Sequence, residues 1–214
     1  WTVAKRDTSK VEKEYNLDKY AKCLEFLKNS SPRATVEQVK TFELGPDAEE
    51  TCVSVEGDLG IMPLREAREE YYEIIAQHIG EEIEEGMTVI ELGSGYGYNL
   101  WRLSEKFNQE KCQWWGGEYS LNAVDLAKLL WGGAFPHISV QQFNFYDVDY
   151  KLPKDGKILV YTAHAIEQLP DATNVIVALK KHRSRIKAVI HFEPGYELQG
   201  DSLLDLMRKR YFEV

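Results

Sequence analysis

An acid and three alternating glycines follow a short apolar run in Val89-Ile90-Glu91-Leu92-Gly93-Ser94-Gly95-Tyr96-Gly97-Tyr98. Apolar residues running into a glycine-rich turn and then a helical stretch form a ligand-binding pattern. Glycines allow positive φ and let a ligand approach the backbone closely. Open α/β sheets bind their ligands beyond the carboxyl ends of the strands. The dinucleotide fingerprint G-x-G-x-x-G fails in both registers, since its last glycine would fall on Tyr98 or Leu100. The G-K-[ST] of a phosphate-gripping loop is also absent. Glu91, two residues before the first glycine, would repel a pyrophosphate and suits a ligand with a positive amino group.

This segment resembles the first motif of the class I S-adenosylmethionine-dependent methyltransferases, an acid followed by G-x-G-x-G. A second stretch, Thr162-Ala163-His164-Ala165-Ile166-Glu167-Gln168-Leu169-Pro170-Asp171, is similar to the S-H-V-L-E-H-[VI]-P-D segment of the family's small-molecule branch. Here Ala163 replaces the usual serine and Gln168 the usual histidine. The resemblance implies S-adenosylmethionine as cofactor and a Rossmann-like, mostly parallel sheet with helices on both faces. Gly93, Ser94, Gly95 and Gly97 would pack against the cofactor's methionine part, Glu91 would bear on its amino group, and Ala163 would border it. Glu118, beside Tyr119, would hold both ribose hydroxyls, since a carboxylate can accept two hydrogen bonds from a diol. Asn144, with Phe145 beside it, would face the adenine, and Asp147 is the competing residue.

His164 and Glu167 are three apart, so a helical turn would put them on one face. The family's transferable methyl lies at this strand end. Either His164 and Glu167 take a proton from the substrate or orient it, or they cap the strand and brace the loop. His191, Glu193 and Glu197 end the next strand and would join Glu167 around one mouth. Clustered carboxylates are costly unless a cation answers them, so a basic substrate is expected, with Glu193 in a catalytic role and His191 and Glu197 binding substrate. Tyr71 falls off the apolar stripe of its helix and is a candidate substrate-side lid, whereas Tyr72 lies on the stripe and reads as core.

The elements that must position these residues follow from periodicity. Tyr20, Cys23, Leu24, Phe26 and Leu27 mark a helix over 17–29. Val36–Leu44 and Thr51–Val55 read as two strands around Gly45-Pro46-Asp47, a possible hairpin. A helix over Leu64–Ile79 follows. Five strands then alternate with helices. The strands are Thr88–Leu92, Gln113–Gly117, Ile138–Phe143, Lys157–Thr162 and Ala188–Phe192. The helices are Tyr98–Phe107, Leu121–Trp131 and Thr173–His182. Such alternation implies βαβ units and a parallel sheet. Residues 1–63 read as an N-terminal extension that serves as lid or substrate region, and 64–214 as the core. The family's sheet has seven strands. Only a helix over 201–210 follows the fifth here, so its C-terminal hairpin is expected to be missing.

Composition narrows the class. The chain has 214 residues, 26 basic against 35 acidic, for a net charge of −9. That balance argues against a general nucleic-acid binder. An apolar share of 43% and five tryptophans imply a packed core. Three cysteines without a C-x-x-C pair support neither a disulfide framework nor a zinc site, so reduced thiols in a cytoplasmic protein are expected, with no metal. No apolar stretch is long enough for a membrane span. The expected function is a methyltransferase of a small molecule, N-methylation of an amino or guanidino group being favoured. O-methylation, with His164 as base, and a non-catalytic cofactor-binding partner subunit are the alternatives. A homodimer is the expected assembly.

Overall fold

The computed structural model describes residues 8–45, 49–55, 58–107, 111–154, 156–169, 171–193, 200–203 and 205–206. Its centre is a five-stranded, all-parallel sheet of β3 (Thr88–Leu92), β4 (Gln113–Glu118), β5 (Ile138–Gln142), β6 (Ile158–Ala163) and β7 (Ile186–Phe192). The strand order is β5-β4-β3-β6-β7. Helices α4 (Leu64–Glu82), α5 (Tyr98–Lys106), α6 (Leu121–Trp131) and α7 (Thr173–Lys181) flank it. Every residue of β3 is buried, as a central strand covered on both faces requires. Two apolar clusters hold the sheet. One gathers Val89, Trp114, Leu159 and Tyr161 with α4, α5 and α6, and the other gathers Ile90, Leu92, Val160 and Val175. Chain order reverses between β3 and β6, which opens a crevice at the carboxyl ends of those two strands.

The N-terminal region departs from its sequence reading in three ways. Helix begins at Thr8 rather than 17. It runs through α1 (Thr8–Val11), a wide i→i+5 stretch over Glu12–Tyr20 and α2 (Ala21–Asn29). Val36–Leu44, read as a strand, is helix α3. The Thr35 hydroxyl accepts from the Gln38 N–H while the Gln38 side chain accepts from the Thr35 N–H, a capping box that nucleates a helix despite the β-branched residues. The hairpin lies one step later. Its strands are β1 (Glu50–Val55) and β2 (Asp58–Pro63), with Cys52 opposite Ile61. Tyr20, Cys23, Leu24, Leu27 and Val39 belong to the same apolar cluster as Val89 and Leu159, so packing is continuous across the expected boundary at 63/64.

The remaining elements match their expected spans within two residues. α4 extends three residues further, to Glu82. Of the helix expected over 201–210, Leu203, Asp205 and Leu206 are helical and residues 207–214 lie outside the described residues. All three cysteines are free. Among the described residues no cluster of His, Cys, Asp or Glu could hold a metal ion, and no helix is long and apolar enough to cross a membrane.

Candidate functional site

The glycine turn after β3 closes on its neighbours by backbone bonds. The N–H groups of Gly93 and Ser94 both donate to Gly117 O, at 2.7 and 3.2 Å. Gly93, Gly95 and Gly97 have φ of 81, 56 and 84°, which side-chain-bearing residues rarely adopt. Close packing adds a second constraint. A Cβ on Gly93 would meet the Ala165 side chain at 2.4 Å, and one on Gly95 would meet the Tyr20 hydroxyl at 2.5 Å. The turn is thus held between the end of β6 and the N-terminal helix.

Two buried carboxylates stand behind this turn. Glu118, at the end of β4, accepts from the Gly95 N–H through Oε2 and from the Ser120 N–H through Oε1, both at 2.7 Å. Burial raises its pKa against those bonds. Its carboxylate lines the cleft beside Gly95 and Ser120. Glu91 is 2% exposed, and its Oε1 accepts from Asn99 Nδ2 at 2.9 Å. Its Oε2 has no hydrogen-bond partner, nor has the hydroxyl of nearby Tyr161. The two groups influence each other's acidity without an aligned hydrogen bond. Burial drives the Glu91 pKa up to about 8. A buried carboxylate with an orphaned oxygen lacks a donor, and a bound cation would supply one.

The second side of the site is built at the end of β6. His164 holds φ 52°, which is uncommon for a residue with a side chain and strained. Its N–H donates to Phe192 O, and its Nδ1 lies 3.0 Å from Glu167 Oε1. That bond to Glu167 holds the imidazole above its ordinary pKa, against burial. The Tyr71 ring lies 5.1 Å from the His164 ring, and its hydroxyl donates to Phe192 O at 2.9 Å. Burial raises the Tyr71 pKa first, and Glu193, Glu91 and Glu167 add to it.

These residues open onto one cleft of about 1190 Å³, larger than the roughly 300–1,000 Å³ of most single-ligand pockets. Glu91, Gly93, Ser94, Gly95, Glu118, Tyr119, Tyr71, Ala163, His164 and Glu167 all line it, as expected from the sequence. The other expected residues stand elsewhere. Gly97 caps α5 and packs on Val140 and Trp131. Asn144 turns its Oδ1 to the Tyr146 N–H at 2.9 Å, making a local turn instead of facing the cleft. Phe145 is 8% exposed and packs edge-on against Phe143. His191 shares a 2.9 Å hydrogen bond with Thr162, and burial lowers its pKa. Glu193 is consumed by the fold. Its carboxylate accepts from the N–H groups of Ala165, Ile166 and Glu167, at 3.0–3.2 Å. Three backbone donors leave it little capacity for a substrate. Glu197 lies outside the described residues.

The N-terminal region supplies site residues that the sequence reading missed. Asn16 Oδ1 accepts from Ser120 Oγ at 2.7 Å and from the Asn122 N–H at 3.0 Å, pinning the wide helical stretch to α6. Glu43 bridges Lys19 at 2.7 Å and Lys40 at 2.9 Å, and accepts from the Tyr96 hydroxyl. Burial raises the Glu43 pKa, but the two lysines outweigh it and hold the carboxyl at about 2. Tyr20 was visible only as one apolar position on a helical stripe. The local signal that brings Lys40 and Glu43 to the same wall is the Thr35–Gln38 capping box, which makes Val36–Leu44 a helix.

No family model and no curated protein matches the chain. Among solved structures it is similar to an S-adenosylmethionine-dependent methyltransferase from Aquifex aeolicus, at 22% identity over 51% of this chain and 56% of that one, with a TM-score of 0.43. It is similar to a geranyl diphosphate methyltransferase in complex with sinefungin, at 17% identity over 48% and 37%, TM-score 0.40. It is also similar to an S-adenosylmethionine-dependent methyltransferase from Geobacter sulfurreducens in complex with S-adenosylhomocysteine, at 16% identity over 56% and 47%, TM-score 0.40. The chain spans about half or less of the length of these structures.

Proposed function

We propose that this chain is an S-adenosylmethionine-dependent methyltransferase that methylates an amino group of a small molecule. The observation that carries the reading is the orphaned Oε2 of buried Glu91 behind a positive-φ glycine turn. It fits the cofactor's ammonium, and the Glu118 carboxylate at the end of β4 fits its ribose hydroxyls. The backbone of Gly93, Ser94 and Gly95, with Ala163 opposite, would hold the remainder of the cofactor. When bound, S-adenosylmethionine supplies a methyl group on a positively charged sulfur.

What the chain itself adds is positioning and one proton acceptor. An amine attacks only as its neutral form, so a protonated acceptor must first lose a proton. His164 lines the same cleft as Ala163 and is the suitable acceptor for it. Glu167 stabilises the imidazolium that results, through the 3.0 Å bond to Nδ1. Tyr71 packs its ring against one side of the imidazole from α4 and helps to fix its position. Glu193 keeps the loop in register through its bonds to the N–H groups of Ala165, Ile166 and Glu167. Incubation with methyl-labelled S-adenosylmethionine and a metabolite extract, read by mass spectrometry, tests the proposal. A labelled methylamine product is expected. Label found only on hydroxyl or carboxyl oxygens, or no transfer, refutes it.

A further inference from the structure

The cleft wall carries both signs of charge. Glu91 and Glu167 line it with His164 and Tyr71. Arg68, one helical turn before Tyr71 on α4, lines the same cleft and bears on Tyr71, His164 and Lys40. The other basic residues of the wall are answered. Arg102 takes both oxygens of Glu69, Arg65 donates to Thr41, and Lys19 and Lys40 share Glu43. Among the described residues Arg68 has no hydrogen-bond or ion-pair partner. A guanidinium exposed in a concave wall without a partner of its own can receive a planar anion, which it can grip through two parallel hydrogen bonds.

We propose that the acceptor is an amino acid-like zwitterion whose carboxylate is held by Arg68 while its amino group lies at His164 and Glu167. This rests on the methyltransferase reading and narrows its substrate class. It also revises the basic substrate expected from the sequence, because Glu193 is spent on three backbone N–H groups. A carboxylate in the cleft has two sources, the acceptor and the methionine part of the cofactor. The experiment must separate them.

Wild type, Arg68→Ala and Arg68→Lys are titrated with S-adenosylhomocysteine and with 5′-methylthioadenosine, which lacks the amino-acid part. Each is then given methyl-labelled S-adenosylmethionine and a metabolite extract. Labelled products are passed over an anion exchanger in strong base, where an amino acid is retained and a simple amine is not. The label is expected on the column. Arg68→Ala should raise KM for the retained product's precursor about ten-fold or more, with kcat little changed, and Arg68→Lys should recover part of it. Nucleoside affinities should be equal in all three proteins. Label in the flow-through, or an unchanged KM in Arg68→Ala, overturns the proposal. So does a loss of affinity for S-adenosylhomocysteine without loss for 5′-methylthioadenosine, which would assign Arg68 to the cofactor. A wild type that binds no S-adenosylhomocysteine overturns the methyltransferase reading, and this one with it. Binding followed by an uncharged product overturns this one alone.

Discussion

If Glu91 answers the cofactor's ammonium, binding must expel a proton from it, and the size of that release follows from the site. Burial puts the Glu91 pKa at about 8, so without ligand about 0.9 of the molecules carry the proton at pH 7. Ionising it in place costs roughly 5 kcal/mol relative to a carboxyl at its ordinary 4.5. A cation set against the orphaned Oε2 offsets that cost, and the proton leaves. The ligand's own amine, that of a free amino acid beside its ionised carboxylate, is already protonated at pH 7 and takes up almost none. Net release of about 0.9 proton is therefore expected at pH 7. Near pH 9 the sign reverses, because Glu91 is then largely ionised and the free amine must gain a proton. Calorimetry of S-adenosylhomocysteine in buffers of different ionisation enthalpy measures this directly. Glu91→Gln should abolish the release while keeping the bond to Asn99, and 5′-methylthioadenosine should show none with either protein. Zero linkage at pH 7 in the wild type, or the same release from Glu91→Gln, refutes the assignment of Glu91.

Four further outcomes follow from the same geometry. Glu91 also sets the stability of the ligand-free protein. Its folded pKa is raised, so the folded state holds the proton between pH 4.5 and about 8 and stability falls as pH rises through that window; Glu91→Gln should flatten the slope in denaturant titrations. Glu43 works in the opposite direction. Its depressed pKa of about 2 contributes stability above the ordinary 4.5 that is lost as pH falls toward 2, and Glu43→Gln, which strands Lys19 and Lys40, should cost about 3–5 kcal/mol at neutral pH. Gly95→Ala should destabilise by about 1–3 kcal/mol, through strain at φ 56° and the clash with the Tyr20 hydroxyl. Tyr20→Phe should recover part of that loss in a thermal melt, and no recovery would mean that the contact is not the cause. Glu167→Gln should lower the His164 pKa, visible as an acid-ward shift of the imidazole titration by NMR.

The parallel core was legible because each strand and helix there carries a local signal. Helix α6 is expected and found over Leu121–Trp131, because Ser120 caps it and its apolar face repeats at helical spacing. The cleft was equally legible. Glu91, Gly93, Ser94, Gly95 and Glu118 line it at strand ends, and strand ends are where a βαβ sheet puts its ligands. What failed was local ambiguity without a partner to resolve it. Val36–Leu44 carries β-branched and aromatic residues that suit a strand, but its apolar residues stand mostly three apart and the Thr35–Gln38 capping box decides for helix. That decision carries Glu37, Lys40 and Glu43 into the cleft wall, so one misread element concealed three of its charges.

The acids at the mouth show why residue type alone misleads about substrate. Glu167 and Glu193 look alike in sequence, both acids at the end of a neighbouring strand. Glu193 meets three N–H groups left open by the turn at Ala165–Glu167, and a carboxylate so placed is part of the backbone's own hydrogen-bond accounting. Glu167 meets an imidazole, which can exchange a proton. Which acid is spent on the fold depends on which unsatisfied donors surround it, and those donors exist only once β6 has turned at His164. The strained φ of 52° at that residue is the step that separates the two. It turns the His164 N–H to Phe192 O and brings the following amides onto Glu193. Only Glu167 is left with a partner that can titrate in the physiological range.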